Sequence, residues 1–317
     1  PAKEVAEVPP CIPDTACGHV VGCAGTDGTA PLVRRGLFCC RRRRASESPG
    51  GLTSSLARRF ADDTDSAISD IGREASALEA LKAKLGAVGM ASLHEALAPG
   101  ESENSCLLRF LRARNLKVEA ALAMLEKDFA WRKKVGTKGL AARSRGNVAG
   151  CAEDVVDENM PMWHQGFDRH GRPLMFKHYG RTRLPQLLQH TTVDRMNLLH
   201  VQQNERAAIL CAEQSARFGR DISQVVFVID AEGWDPRNMR SRSALQHAKE
   251  IAMTDQDHYP ERLGQVILVN APYIVSLFWR LMTVVIDRKT QAKVRILTSR
   301  RDWEPVLLEL ADPSQLP

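Results

Sequence analysis

Apolar positions along this chain recur at two spacings, and the change falls near residue 151. Before it the spacing is helical. Leu78, Leu81 and Leu85 share one face of a helix predicted over 77–85. Leu107, Leu108 and Leu111 mark a second helix, with Ser105 as its candidate cap. A turn at Asn115 leads into a third helix carrying Leu122, Leu125 and Phe129. Residues 76–150 therefore read as a small N-terminal helical unit, closed by a Gly- and Arg-rich linker over 136–150. Residues 1–75 are rich in Pro, Gly, Ser, Thr and Arg without apolar periodicity, and are expected to form a disordered basic tail.

From about Cys151 short apolar runs alternate with helical patterns. Strands are predicted over 162–167 and 173–179, joined at the turn Asp168-Arg169-His170-Gly171, and then over 224–229, 265–269 and 293–297. Helices are predicted over 184–218, 238–258, 273–286 and 302–310. Strands alternating with helices predict an α/β fold, a mostly parallel sheet covered by helices, over 151–317.

Charge and cysteine usage narrow the function. The chain of 317 residues carries a net charge of +6. Nine Lys/Arg against five Asp/Glu fall within residues 1–60, so most of that surplus belongs to the tail. A basic nucleic-acid footprint on the folded part is not expected. Five of the eight cysteines lie in the first 40 residues and none forms Cys-x-x-Cys, which favours a reducing, cytoplasmic setting over a disulfide framework or a zinc site. The longest apolar stretch, 272–286, is interrupted by Arg280 and is too short for a membrane span. Gly-x-Ser-x-Gly, Gly-x-Gly-x-x-Gly and a phosphate loop are all missing, so hydrolase and nucleotide-binding readings lack support. Asp255, Asp257 and His258 read as a solvated helix end, and Asp230 as a strand-end residue bonded to neighbouring backbone. Cys39-Cys40 beside Arg41–Arg44 places possible acylation next to four positive charges.

Several ordered motifs together carry a family resemblance. Leu107-Leu108-Arg109-Phe110-Leu111-Arg112-Ala113-Arg114, Trp131-Arg132, Asp168-x-x-Gly171-Arg172-Pro173, Tyr259-Pro260-Glu261-Arg262-Leu263-Gly264, Asn270-Ala271-Pro272 and Asp287-x-x-Thr290-x-x-Lys293 occur in sequence. Residues 75–317 thereby resemble CRAL-TRIO lipid-binding proteins, within them the yeast-type phosphatidylinositol transfer branch. That family carries a Tyr-Gly-Gly segment after a Leu-Pro like Leu316-Pro317, so a continuation is expected beyond the sequence at both ends. It also has Pro where this chain has Arg288.

The resemblance implies a sheet and helices enclosing a lipid cavity, no enzyme activity and no cofactor beyond the phospholipid. It implies a monomer that carries phosphatidylinositol and touches membranes transiently. By the same resemblance Arg114, Glu261, Thr290 and Lys293 hold the headgroup: the cations and hydroxyl donate to phosphate, and the carboxylate accepts from inositol. Leu277, Phe278, Leu281, Met282 and Val285 are implied to form an apolar gate helix. Relatives that also carry phosphatidylcholine place hydroxyls five and three residues before the strand-end Asp, where Val225 and Phe227 stand here. Other readings are a carrier of a different hydrophobe, such as a tocopherol or retinoid, and a membrane-recruiting scaffold or GTPase-regulator accessory module.

Overall fold

The computed structural model describes residues 51–235, 242–282 and 288–317. Leu56–Pro317 pack as one unit. The described helices are α1 (Gly51–Ala96), α2 (Glu103–Ala113), α3 (Val118–Val135), α4 (Arg145–Ala149), α5 (Glu153–Asn159), α6 (Leu184–Leu187), α7 (Val193–Phe218), α8 (Arg242–His258), α9 (Tyr273–Met282), α10 (Arg288–Ala292) and α11 (Arg300–Leu310). Its strands are β1 (Met162–Phe167), β2 (Pro173–His178), β3 (Val225–Asp230), β4 (Leu263–Val269) and β5 (Val294–Ile296).

The five strands form one sheet in chain order. β1 pairs antiparallel with β2, and the other neighbours are parallel. The mostly parallel α/β sheet expected from the sequence is therefore found. Side-chain alternation divides its two faces. Leu174, Phe176, Val226, Val228 and Ile267 pack against Leu307 of α11, while Met175 and Val225 pack against Ala207 and Cys211 of α7. Burial on both faces explains why β3 reads as a continuous apolar run rather than an alternating one. The β1–β2 turn is fixed by Asp168, which accepts from the backbone N–H of His170 (2.9 Å) and Arg172 (2.7 Å) and from the Arg172 guanidinium (2.6 Å). Gly171 supplies the left-handed φ of 78° that this turn requires.

Several expectations change. α1 begins at Gly51, so disorder over 51–75 does not hold; Leu52, Leu56 and Phe60 continue the helical spacing upstream. Residues 1–50, with Cys39-Cys40 and Arg41–Arg44, lie outside the described residues. Ser102 caps α2 in place of Ser105, accepting from the Ser105 N–H at 3.1 Å. The supposed linker 136–150 is packed: Leu140, Val148 and Ala149 are buried, and Gln202 and Arg206 of α7 donate to the carbonyls of Leu140, Ala141 and Arg143. The helix predicted over 184–218 is two, because Thr192 starts a new one by accepting from the Arg195 N–H at 3.3 Å.

The helical unit and the sheet domain are joined by buried charge. Glu101, just ahead of α2, accepts from Arg109 (2.7 Å) and from Arg262 (2.5 Å), the residue before β4. Arg109 is 3% exposed and the Glu101 side chain 7%. On α3, Arg132 bridges Asp128 and Glu205 of α7, both at 2.9 Å. The Tyr259 hydroxyl donates to Glu205 at 2.6 Å, and His258 contacts Asp128 at 2.9 Å while stacking on Trp131 with centroids 3.8 Å apart. His258 is thus a packed junction residue rather than part of a solvated helix end.

Burial pushes the Glu101 carboxyl up, but the Arg262 and Arg109 guanidiniums outweigh it and hold it at about 2, against the ordinary 4.5. Its ionised form is therefore favoured by folding. Its stabilisation is fully present above about pH 4.5 and is lost as pH falls towards 2. Glu101→Gln leaves two buried guanidiniums without a carboxylate and should cost about 3–5 kcal/mol. Urea denaturation at pH 7 checks the loss, and the variant's stability should depend less on pH between 4.5 and 2.

Candidate functional site

The clamp on residues 258–262 has a direct consequence for the largest cavity described. This cavity, about 930 Å³, lies between the C-terminal end of α2, the Tyr259–Leu263 turn, α10 and the sheet. Val225 and Phe227 of β3 form its floor, and Asn204 and Ala207 of α7 with Ala252 and Asp255 of α8 add to its walls. Arg114, Glu261, Thr290 and Lys293, far apart in sequence, all line it.

Each of the four is delivered by its own local device. Arg114 sits at the C-cap of α2, and Asn115 and Leu116 follow with φ of 51° and 60°. Two consecutive left-handed residues turn the chain sharply and leave Arg114 at the cavity edge, its guanidinium donating to the Ala113 carbonyl at 3.1 Å. The three arginines of the Leu-Arg-Phe-Leu-Arg-Ala-Arg motif take three different jobs. Arg109 is in the buried clamp, Arg112 lines the cavity while held in a bidentate pair with Glu74 (2.7 and 2.8 Å), and Arg114 lines it from the helix end.

Glu261 also has a left-handed backbone, φ 58°. Its neighbours account for that conformation. Tyr259 is tied to Glu205, the Pro260 carbonyl accepts from Arg109 at 3.3 Å, and Arg262 is tied to Glu101. Held from both sides, the turn presents the Glu261 carboxylate 3.8 Å from the Lys293 amine. Both side chains keep partial contact with solvent, so this long pair is weak and leaves hydrogen-bonding capacity for a ligand. Lys293 directly precedes β5, and its backbone N–H donates to the Thr290 carbonyl at 3.1 Å, fixing the turn that carries both. Asp287, the first residue of that motif, lies outside the described residues.

The helix predicted from residue 273 begins there. α9 starts at Tyr273, which is 80% exposed, and Ile274 beside it is also exposed. The backbone of Leu277, Phe278, Leu281 and Met282 continues this helix; their side chains and the whole of Val285 lie outside the described residues. No described helix is long and apolar enough to cross a membrane.

Sequence reasoning missed other parts of the wall. Asp255 is not a free helix-end carboxylate: it accepts from Asn204 at 2.8 Å and pairs with His200 at 2.6 Å. The pair spans α7 and α8, and a spacing of more than 50 residues gave no signal of it. Asp230 does bond its neighbours, accepting from the Glu232 N–H (2.9 Å) and from the Asn270 amide (3.0 Å).

A left-handed non-glycine residue in a turn carries strain that Asn tolerates better than Glu. Glu261→Asn should therefore raise stability by roughly 0.5–1 kcal/mol, read as a higher urea midpoint. An unchanged or lower midpoint would mean that the turn holds Glu261 without strain.

Comparison with known proteins covers most of the described chain. Residues 157–317 match the CRAL/TRIO domain, and residues 77–127 match the CRAL/TRIO, N-terminal domain. The chain is similar to phosphatidylinositol/phosphatidylcholine transfer protein SFH7 of Arabidopsis thaliana, with 30% identity over 71% of this chain and 40% of the relative. It is also similar to SFH12 of the same plant (28%, 71% and 40%) and to Protein real-time of Aedes aegypti (29%, 63% and 29%). The chain thus spans about two fifths or less of the length of these relatives. The crystal structure of Sfh5 shares the fold, with a TM-score of 0.56 at 16% identity over 72% of this chain and 81% of that one.

Proposed function

The chain belongs to the CRAL/TRIO domain family, and we propose that it takes up one phospholipid, phosphatidylinositol, and carries or presents it between membranes without catalysis. The convergence of Arg114, Glu261, Thr290 and Lys293 on one cavity carries this reading. Two cations and a hydroxyl suit a phosphodiester, and a carboxylate suits inositol hydroxyls. The relatives named as phosphatidylinositol/phosphatidylcholine transfer proteins add support for the lipid class.

The cargo dictates the mechanism. Two acyl chains of roughly 30 methylenes, at about 0.8 kcal/mol each, make release into water prohibitive. Exchange therefore takes place while the protein touches a bilayer, as a monomer associated peripherally and transiently with its surface. The exposed Tyr273 and Ile274 open α9, the segment assigned as gate, and supply apolar contact there. Lifting that helix gives acyl chains a route out, and the charged rim holds the headgroup until the lipid re-enters a leaflet. A cytoplasmic carrier of this kind needs no cofactor and no metal.

Transfer of labelled phosphatidylinositol between vesicles tests the proposal. Purified protein should transfer it well above a boiled control, and Lys293→Ala and Glu261→Ala should each lose most of that activity with an unchanged circular dichroism spectrum. Normal transfer by both variants would remove the headgroup assignment.

Phosphatidylcholine is expected to be a poor cargo. Val225 and Phe227 both line the cavity, so the β3 face offers no hydroxyl where phosphatidylcholine carriers present two. A buried phosphate without those donors loses several kcal/mol, a factor of about a thousand in affinity. Excess phosphatidylcholine should therefore fail to displace labelled phosphatidylinositol, and displacement at equal concentration would overturn this specificity.

A further inference from the structure

A second cavity, of about 470 Å³, shares no lining residue with the headgroup cavity. Much of its wall is apolar, with Met162 of β1, Met175 of β2 and Leu199, Ile209 and Leu210 of α7. Packed side chains part the two cavities. Met175, which lines this one, belongs to one cluster with Ala207, Val225 and Phe227, which line the other. The volume is within the range of small-molecule sites, and at about half that of the headgroup cavity it suits a single chain.

Most polar side chains of this wall are engaged with the protein itself. Gln202 donates to the carbonyls of Leu140 (3.1 Å) and Arg143 (2.7 Å), and Arg206 to those of Ala141 and Arg143, both at 2.8 Å. Arg145 pairs with Asp157 and donates to the Met160 carbonyl at 2.8 Å. Two wall residues differ. Gln203 of α7 is 6% exposed, and among the described residues neither its amide nitrogen Nε2 nor its oxygen Oε1 has a partner. His164 of β1 has a buried Nε2 that also lacks one.

The state of the His164 ring follows from its surroundings. Its hydrogen bond to the Gly166 backbone favours the protonated form, so the ring donates there. With Nε2 unpartnered, that donor is Nδ1, and Nε2 of the neutral ring is a bare acceptor. Burial draws the ring's pKa below the ordinary 6.5, against the Gly166 bond and the Glu213 charge, and keeps it neutral at pH 7.

The wall thus presents two acceptors, His164 Nε2 and Gln203 Oε1, and one donor group, Gln203 Nε2. Buried groups of this kind are costly until they are paired. We propose that this cavity is a second ligand site, which takes a single-chain, uncharged lipid with a diol head, a monoacylglycerol. One hydroxyl donates to His164 Nε2 and accepts from Gln203 Nε2, and its neighbour donates to Gln203 Oε1. A carboxylate or phosphodiester offers acceptors only and would set its oxygens against two bare acceptors. A choline head offers no donor either.

The test uses the whole chain incubated with phosphatidylcholine vesicles doped in separate arms with monooleoylglycerol, methyl oleate, oleate or phosphatidylinositol. The protein is re-isolated and its bound lipid quantified by mass spectrometry. The first three lipids share one chain and differ in the head: a diol, an ester without a donor, and a carboxylate. The wild type should retain monooleoylglycerol about tenfold or more over methyl oleate and over oleate. Gln203→Leu and His164→Phe should each lose most of that preference while retaining methyl oleate at least as well as the wild type.

Comparable retention of the three lipids by the wild type, a preference for oleate, or an undiminished preference in both variants overturns the proposal. Should a variant fail to fold, the wild-type comparison alone decides. The phosphatidylinositol arm keeps this site apart from the headgroup reading: Lys293→Ala should lose phosphatidylinositol and keep monooleoylglycerol. Retention of monooleoylglycerol by a wild type that takes up no phosphatidylinositol would remove the headgroup reading alone.

Discussion

The buried ionic clamp around residues 258–262 is the constraint on which the rest of the structure depends. Glu101 holds Arg109 and Arg262, and Glu205 holds Arg132 and Tyr259. A charge removed from water must find its counter-charge at hydrogen-bonding distance, and these partners come from four separate stretches of chain. They meet only when α2, α3, α7 and the turn before β4 are all in place. The end of α2 and the turn after it therefore supply Arg112, Ala113, Arg114 and Asn115 to the cavity wall, and the same contacts hold Glu261 in a left-handed conformation it would not choose alone.

That arrangement explains the uneven chemistry of the cavity. Its rim, built from helix ends and turns, carries Arg114, Glu261, Thr290 and Lys293. Its floor is a central strand whose side chains must be apolar because both faces of the sheet are covered. Polar groups collect at the rim because turns leave backbone and side chains partly solvated, which lowers the cost of charge there.

The arginine-rich helix α2 shows how far residue type alone can be trusted. Arg109, Arg112 and Arg114 look equivalent in sequence, yet burial separates a structural ion pair, Arg109 with Glu101, from two cavity-lining residues, of which Arg112 is also paired with Glu74 of α1. Arg114, at the end of the helix, is placed by the two left-handed residues that follow it. Local propensity would not place Asn115 and Leu116 in succession in that conformation.

The sequence by itself determined the elements. All five strands and the major helices were legible because apolar spacing is a local quantity, imposed by whether a segment buries one face or two. Motif resemblance also picked out the four residues that now line one cavity. Local patterns misjudged the places where a partner is distant: the packed segment around Leu140, the break ahead of Thr192, and Asp255 and His258 at the end of α8. There the deciding contacts, Gln202 to Leu140, His200 to Asp255 and Asp128 to His258, cross 55 to 130 residues. Only the tertiary structure fixes such pairs, because a charge or carbonyl is satisfied by whatever the fold brings within about 3 Å, and sequence distance places no limit on that partner.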